Sequence, residues 1–332
     1  MKLQEKTITS IADVLELYKE DLKRVEAQIK EDLSTDISLI SEVSAHLLNG
    51  GGKRFRPLLM MLCSRLCDYS GRDDALLASV VEFIHAATLL HDDVVDEAVL
   101  RRGQPAAREI WGNQASILVG DYLYSKAIYK AVALKNQEVN EILSTTTKKM
   151  SEGEILQLSK TADIDITEDE YLKIIECKTA ILISATCRLA GVISDVSEKK
   201  KDALTKFGWN IGMAFQLIDD TLDYTANRDR LGKTLGKDLS EGKITLPLLQ
   251  LLKNCSEPER PLIHRIIKEG SLGMDDLSFI QTLLRKYNSI DYSISKARGY
   301  IKAAKEALAC FEDSTAKLSL IAVANYAITR DL

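Results

Sequence analysis

The chain is poor in the residues that break helices: its 332 residues include only 17 glycines and 5 prolines, and aromatics make up 6%. Little is left for the tight turns of a strand-rich fold, and no alternating apolar–polar run bounded by turn residues persists. No apolar run reaches the ~18–20 residues of a membrane span, and the opening MKLQEKTITS lacks the apolar core of a signal peptide. The six cysteines form no CxxC pair. Cys63 and Cys67 sit at helical spacing in an apolar stretch, which reads as buried thiols in a reducing cytoplasm. A net charge of −5 offers no basic excess for nucleic acid or for an anionic membrane.

What is present is helical periodicity almost throughout, in a chain that is 45% hydrophobic. This predicts an all-α fold, a helical bundle forming one domain over residues 1–332. An amphipathic helix over about residues 10–33, with Ile11, Val14, Leu15, Tyr18, Leu22, Val25 and Ile29 as its stripe, is expected to pack on that domain. Further helices are expected over Leu58–Tyr69, Ala75–Glu97, Ile117–Ala133, Val139–Leu158, Glu168–Ile193 and Gly208–Tyr224. Thr167 with Glu170 has the form of a capping box.

Two stretches carry the chemistry. In EFIHAATLLHDDVVDEAVLRR, with ~100° of turn per residue, His85, Asp92 and Asp96 share one face and Asp93 flanks them. In GWNIGMAFQLIDDTLDY, Gln216, Asp220 and Asp223 share a face with Asp219 beside them. Each row reads Asp-Asp-x-x-Asp at the end of an apolar helix. Like charges at that spacing cost an isolated helix roughly 0.2–0.5 kcal/mol per pair. One acidic row could be a solvated helix face; two, embedded in apolar helices and followed by basic segments, could not easily be. Oxygen-only ligands select a hard ion such as Mg²⁺, which takes a few carboxylates and completes its shell with water and substrate phosphate. The rows therefore point to Mg²⁺ holding a diphosphate.

Cations stand at the right places to meet that anion. Gly50-Gly51-Gly52 stops one helix, and Lys53-Arg54-Phe55-Arg56-Pro57 opens the next, which is how an anion site is built. Arg101 and Arg102 follow the first acid row, and two adjacent guanidiniums there suit phosphate oxygens better than mere neutralisation. Lys178, beside Thr179, sits among apolar neighbours and must either snorkel to solvent or face an anion. Arg188 reads as an ion-pair partner. Residues 226–243, ANRDRLGKTLGKDLSEGK, read as a cationic lid in which Lys233, Lys237 and Lys243 could touch phosphate.

GGKRFRP, EFIHAATLLHDDVVDEAVLRRGQPA, Lys178-Thr179, FQLIDDTLD and GKTLGKDLSEGKITLP stand in one order. In this the chain resembles, over nearly its whole length, the trans-isoprenyl (polyprenyl) diphosphate synthases, in particular those of octaprenyl type. The resemblance implies the isoprenoid synthase fold, helices around a deep central cavity, usually as a homodimer. It implies Mg²⁺-dependent condensation of isopentenyl diphosphate with an allylic diphosphate, farnesyl or geranylgeranyl. By that likeness Asp92, Asp93, Asp96, Asp219, Asp220, Asp223 and Lys178 are catalytic. About two or three Mg²⁺ ions would be bound with the diphosphate, Asp92, Asp96 and Asp219 being the ligands. Lys53, Arg56, His85 and Arg102 would hold isopentenyl diphosphate. Arg101, Lys178, Thr179, Gln216, Lys233 and Lys243 would contact the allylic substrate.

Bulky aromatics just upstream of the first acid row stop chain growth early in this family, whereas Ala86, Ala87 and Thr88 are small. A product well beyond farnesyl length is implied, with an octaprenyl quinone side chain as the expectation and Val119 and Leu123 as candidates for the lower wall. The alternatives are a shorter-chain geranylgeranyl synthase and the catalytic subunit of a heteromeric synthase. A class I terpene cyclase would lack the intact second acid row and GGKR, and a non-catalytic partner subunit would have lost aspartates. Membrane contact is expected to be at most peripheral, for release of the product.

Overall fold

The computed structural model describes residues 8–50, 54–225, 236–269 and 273–329. Among them the apolar periodicity becomes helices throughout, with one two-residue ladder as the exception. The described chain divides into two compact units. One lies within Met1–Thr145, Ala185–Thr205 and Ala307–Tyr326, the other within Thr146–Ser184, Lys206–Glu306 and Ala327–Leu332.

In the first unit the expected N-terminal helix is two helices. Ser10 caps α1 (Ile11–Leu17): its hydroxyl accepts from the Asp13 amide at 3.2 Å, and the Asp13 carboxylate accepts from the Ser10 amide at 3.0 Å. The helix breaks at Tyr18 and resumes as α2 (Lys19–Asp32). Tyr18 is buried and no glycine or proline stands there, so packing rather than propensity sets the break. Next come α3 (Ser38–Asn49), α4 (Phe55–Leu66) and α5 (Asp73–Val95).

Helix α5 is the centre of this unit and packs against α2, α4 and α6 (Ala107–Ala133). Leu77, Val80, Val81, Phe83, Ile84, Ala86, Ala87 and Leu90 are buried along it. Each large apolar side chain so buried contributes about 1.5–3 kcal/mol. By length and composition alone this helix could cross a membrane; its buried surface marks it instead as a core helix. Asp32, on α2, is fully buried, accepts from Ser79 of α5 at 2.8 Å and pairs with Lys130 of α6, so three helices share one satisfied carboxylate. Helix α6 starts ten residues before the expected Ile117 and kinks at Gly112 (φ 82°, ψ 165°), a backbone state that glycine alone adopts readily.

Between α5 and α6 the chain forms β1 (Leu100–Arg101) and β2 (Gln104–Pro105), paired antiparallel. The turn residues Arg102 and Gly103 have φ of +53° and +77°, as a two-residue hairpin of the right twist requires. Two-residue strands are too short to leave an alternating pattern in sequence, which is why none was expected.

The second unit includes the C-terminal part of α7 (Gln137–Ser159), then α8 (Glu168–Ile175). The Thr167–Glu170 capping box is formed, with hydrogen bonds of 3.2 and 2.8 Å. Residues Glu176–Ala180 are a π turn that leads into α9 (Ile181–Ile193). Two glycines let their neighbours pack closely against this turn. A Cβ on Gly153 would lie 2.6 Å from Cβ of Cys177, and one on Gly212 only 2.4 Å from Cα of Ala180. Helix α10 (Glu198–Thr225) carries the second acid row on buried Ile211, Met213, Ala214, Leu217 and Ile218.

Candidate active site

Both acid rows lie at helix C-termini, where the backbone dipole already concentrates negative charge. The first closes α5: Asp96 is its C-cap, and the Asp96 amide donates to the Asp92 carbonyl at 2.8 Å, stacking the two residues on one face. Asp92 and Asp96 are half-buried, whereas Asp93 is fully buried. The Nε of Arg101 donates to Oδ1 of Asp93 at 2.8 Å, while Oδ2 of Asp93 is buried with no hydrogen-bond partner. The hairpin thus brings Arg101 back onto the row that precedes it. His46 on α3 meets the Pro105 carbonyl at 2.9 Å through Nε2, fixing the hairpin's second strand.

Beside this row, among the described residues, the first unit brings Arg54, Arg56 and Arg102 near Glu82. Arg54, the N-cap of α4 (φ 45°), pairs with Glu82 of α5 at 2.9 Å. Burial lowers the pKa of Arg56 to about 10, a tendency that Glu82 opposes and Arg102 reinforces. Burial likewise lowers that of Arg102, and His85 is pushed well below its ordinary value, first by burial and then by Arg56, Arg102 and Arg101. Nε of Arg56 is buried and lacks a partner. Neighbouring guanidiniums, an imidazole whose pKa is lowered and a buried guanidinium N–H without a partner together suit an anion.

The second unit has its own acid group. Asp220 is buried; Oδ2 accepts from the Tyr171 hydroxyl at 2.6 Å and Oδ1 from the Gln216 amide at 2.7 Å. Burial raises its pKa to about 7 against those two hydrogen bonds, with Asp219 and Asp223 adding repulsion. Asp223 caps a short helix, α11 (Lys237–Ser240), accepting from the amides of Lys237 and Asp238 at 3.2 and 3.0 Å. Asp238 is raised well above the usual carboxylate range by burial and by the charges of Asp223 and Asp220. Acids crowded this far need a cation, and their all-oxygen donor set suits Mg²⁺. Among the described residues no group of three or more His, Cys, Asp or Glu side chains is placed to hold a metal ion by protein ligands alone.

Of the sequence-predicted cations in this unit, Lys178 lies on the π turn, 2.9 Å from Glu154, and Thr179 donates to Gln216 at 2.6 Å. Lys243 and Lys237 both pair with Glu241, at 2.7 and 3.1 Å. Lys53 and Lys233, with most of the expected lid, lie outside the described residues. Arg188 forms the expected ion pairs, with Glu198 and with Asp202 at 2.9 Å. Ala86 and Ala87 are buried and Thr88 is half-buried, its hydroxyl donating to the His85 carbonyl at 2.8 Å; Val119 and Leu123 are buried on α6.

Sequence reasoning missed Glu82, Glu154, Tyr171 and Asp238. Glu82 had a signal, since it stands one turn before His85 on the same helix face. Asp238 was hidden in a segment read for its lysines. Glu154 and Tyr171 find their partners only through the fold.

Residues 37–284 match the family model for polyprenyl synthetase. The chain is 37% identical to octaprenyl diphosphate synthase of Escherichia coli (strain K12), covering 97% of this chain and 99% of that one. It is 38% identical to a geranyl-diphosphate-specific all-trans-nonaprenyl-diphosphate synthase of Rhodobacter capsulatus, over 96% and 97% of the two chains. A crystal structure of a polyprenyl synthase from Caulobacter crescentus CB15, complexed with calcium and isoprenyl diphosphate, superposes with a TM-score of 0.94 at 36% identity, covering 98% and 100% of the chains.

Proposed function

The chain belongs to the polyprenyl synthetase family, and on that footing we propose a specific reading of its two acid rows and its cation cluster. The protein is a trans-prenyltransferase that makes a long-chain polyprenyl diphosphate. Its substrates are isopentenyl diphosphate and an allylic diphosphate, here farnesyl or geranylgeranyl diphosphate. The observation that carries the reading is Arg56, half-buried, whose buried Nε has no partner although Glu82 and Arg102 stand near it. That cluster is suited to the diphosphate of isopentenyl diphosphate, held by Lys53, Arg56, His85 and Arg102.

Asp92, Asp96 and Asp219 would hold Mg²⁺; burial, with repulsion from Asp219 and Asp223 added to it, raises Asp220 to about 7, which supports a cation beside the row. When bound, Mg²⁺ offsets the charge that gathers on the departing diphosphate. Arg101, Lys178, Thr179, Gln216, Lys233 and Lys243 orient the allylic diphosphate so that its C–O bond breaks with the electron pair leaving on oxygen. The double bond of isopentenyl diphosphate then attacks the allylic carbon, a C–C bond forms, and the released diphosphate takes the proton. Apolar walls keep water from the carbocation. His85, its pKa lowered first by burial and then by its arginine neighbours, contributes a hydrogen bond rather than a charge.

Each unit carries one acid row, and in this reading the 332 residues act as one catalytic domain. Small side chains at Ala86, Ala87 and Thr88 support an octaprenyl product. A second copy of the chain is the proposed partner: Leu118, Tyr129 and Val132 on α6 are 66%, 68% and 55% exposed, an apolar stripe at helical spacing. Six free thiols, four of them buried, support a cytoplasmic setting. Purified protein incubated with isopentenyl and farnesyl diphosphates and Mg²⁺, with the products sized by chromatography, tests the reading. An octaprenyl ladder is expected. Exclusively geranylgeranyl product would overturn the chain-length assignment, and absence of any condensation by the chain alone would overturn self-sufficiency.

A further inference from the structure

We propose that Tyr171, which lies in none of the sequence motifs, is a positioning residue for the second acid row, a role that rests on the metal–diphosphate reading above. Tyr171 projects from α8 and is 3% exposed. Its hydroxyl donates to Oδ2 of Asp220 at 2.6 Å; Oδ1 of the same carboxylate accepts from Gln216 at 2.7 Å; and the Gln216 carbonyl accepts from Thr179 at 2.6 Å. Four side chains from α8, the π turn and α10 form one relay, Tyr171–Asp220–Gln216–Thr179.

The relay has a direction set by what each group can donate. Asp220 as a carboxylate only accepts, and both of its oxygens are engaged by donors inside the protein. Gln216 spends its amide on Asp220 and its carbonyl on Thr179, so its flip state is fixed. Asp220 is therefore an anchor behind the half-buried Asp219 and Asp223, and the Thr179 hydroxyl is oriented from the same anchor. The phenol is the terminal donor. Without it, a buried carboxylate oxygen loses a short charge-assisted hydrogen bond and the carboxylate is free to turn. Its rotation would release Gln216, and with it Thr179. Tyr171 thus couples the acid row to the Lys178–Thr179 turn without touching substrate.

Tyr171→Phe keeps the ring and removes only the hydroxyl. The expected result is a rise in the Mg²⁺ half-saturation concentration and a fall in kcat, each about tenfold, as for loss of an outer-shell partner. The KM for isopentenyl diphosphate stays within about twofold, because that substrate's cations lie outside the relay. A tyrosine that served packing alone would lower the melting temperature and leave the Mg²⁺ curve where it was. Asp220→Asn and the double variant close the cycle: if Tyr171 acts through Asp220, the double variant loses no more than Asp220→Asn alone. A Mg²⁺ half-saturation within about twofold of wild type for Tyr171→Phe, or losses that multiply in the double variant, would overturn the inference. Should Tyr171→Phe not fold, the Mg²⁺ curve of Asp220→Asn is read by the same criteria. Asp219→Ala separates the two levels: if it abolishes turnover while Tyr171→Phe behaves as wild type, only the relay falls. Full turnover by Asp219→Ala would overturn the metal reading and the relay together.

Discussion

Arg101 reaches back from β1 to Asp93 on α5, donating from Nε to Oδ1 at 2.8 Å, and the carboxylate it meets is fully buried. The pair settles where the middle acid of the first row stands: it is tied to protein, whereas Asp92 and Asp96 on the stacked face are half-buried. Breaking a buried pair by removing one partner typically costs about 3–5 kcal/mol. Arg101→Ala is expected near the low end, because the guanidinium is partly exposed. Urea unfolding measures the loss, and adding Asp93→Asn to Arg101→Ala should restore part of it. Arg101→Ala as stable as wild type would show that the pair contributes nothing.

The glycines beside the π turn give a ranked expectation. A Cβ on Gly212 meets the backbone of Ala180 at 2.4 Å, which cannot step aside, whereas one on Gly120 meets the side chain of His91 at 2.4 Å, which can rotate. Both substitutions gain about 1 kcal/mol of helix propensity. Gly120→Ala should therefore be close to neutral, while Gly212→Ala should lose about 1–3 kcal/mol net of that gain and lower kcat by disturbing the turn that carries Lys178 and Thr179. Equal melting temperatures for the two variants would contradict this order.

His85 gives a pH signature. Its pKa in the folded chain is pushed well below the ordinary histidine value by burial and by Arg56, Arg102 and Arg101. Below about pH 6.5 the unfolded chain therefore takes up a proton that the native chain refuses, so stability falls as pH drops through that range. The slope attributable to this residue is at most about 1.4 kcal/mol per pH unit. His85→Gln should flatten the stability profile between about pH 6.5 and 5. Identical slopes for variant and wild type would remove the assignment.

Ala87 is fully buried on α5, five residues before Asp92. Ala87→Phe is expected to shorten the product toward geranylgeranyl or farnesyl length. Chromatography of dephosphorylated products reads the outcome directly, and an unchanged length distribution would show that this position does not face the growing chain.

Much of this was legible in sequence because it depends on spacing. The carboxylate spacing within each acid row and the Thr167–Glu170 box are set by local periodicity and fall on helices as expected, and Arg188 is ion-paired as its setting implied. What escaped depends on contacts distant in sequence. Tyr18 breaks a helix for reasons of packing, the π turn is closely packed where Gly153 and Gly212 let neighbours in, and Arg101 finds Asp93 through a hairpin too short to leave a pattern. Val95, the last residue of α5, is apolar yet 68% exposed, since the helix ends there and its last turn leaves the core. Tyr171 and Glu154 carry no local mark at all. Their partners, Asp220 and Lys178, stand 49 and 24 residues away.

The most direct test of the account is calorimetric binding of a non-hydrolysable farnesyl diphosphate analogue, with Mg²⁺ and with the metal chelated, by wild type, Asp92→Ala and Asp219→Ala. The account predicts that wild type binds it only with Mg²⁺ and that each substitution, one in each acid row, weakens binding by about tenfold or more. Wild-type affinity unchanged by chelation, or either variant binding as tightly as wild type, would contradict the proposal that each acid row contributes to metal-dependent diphosphate binding.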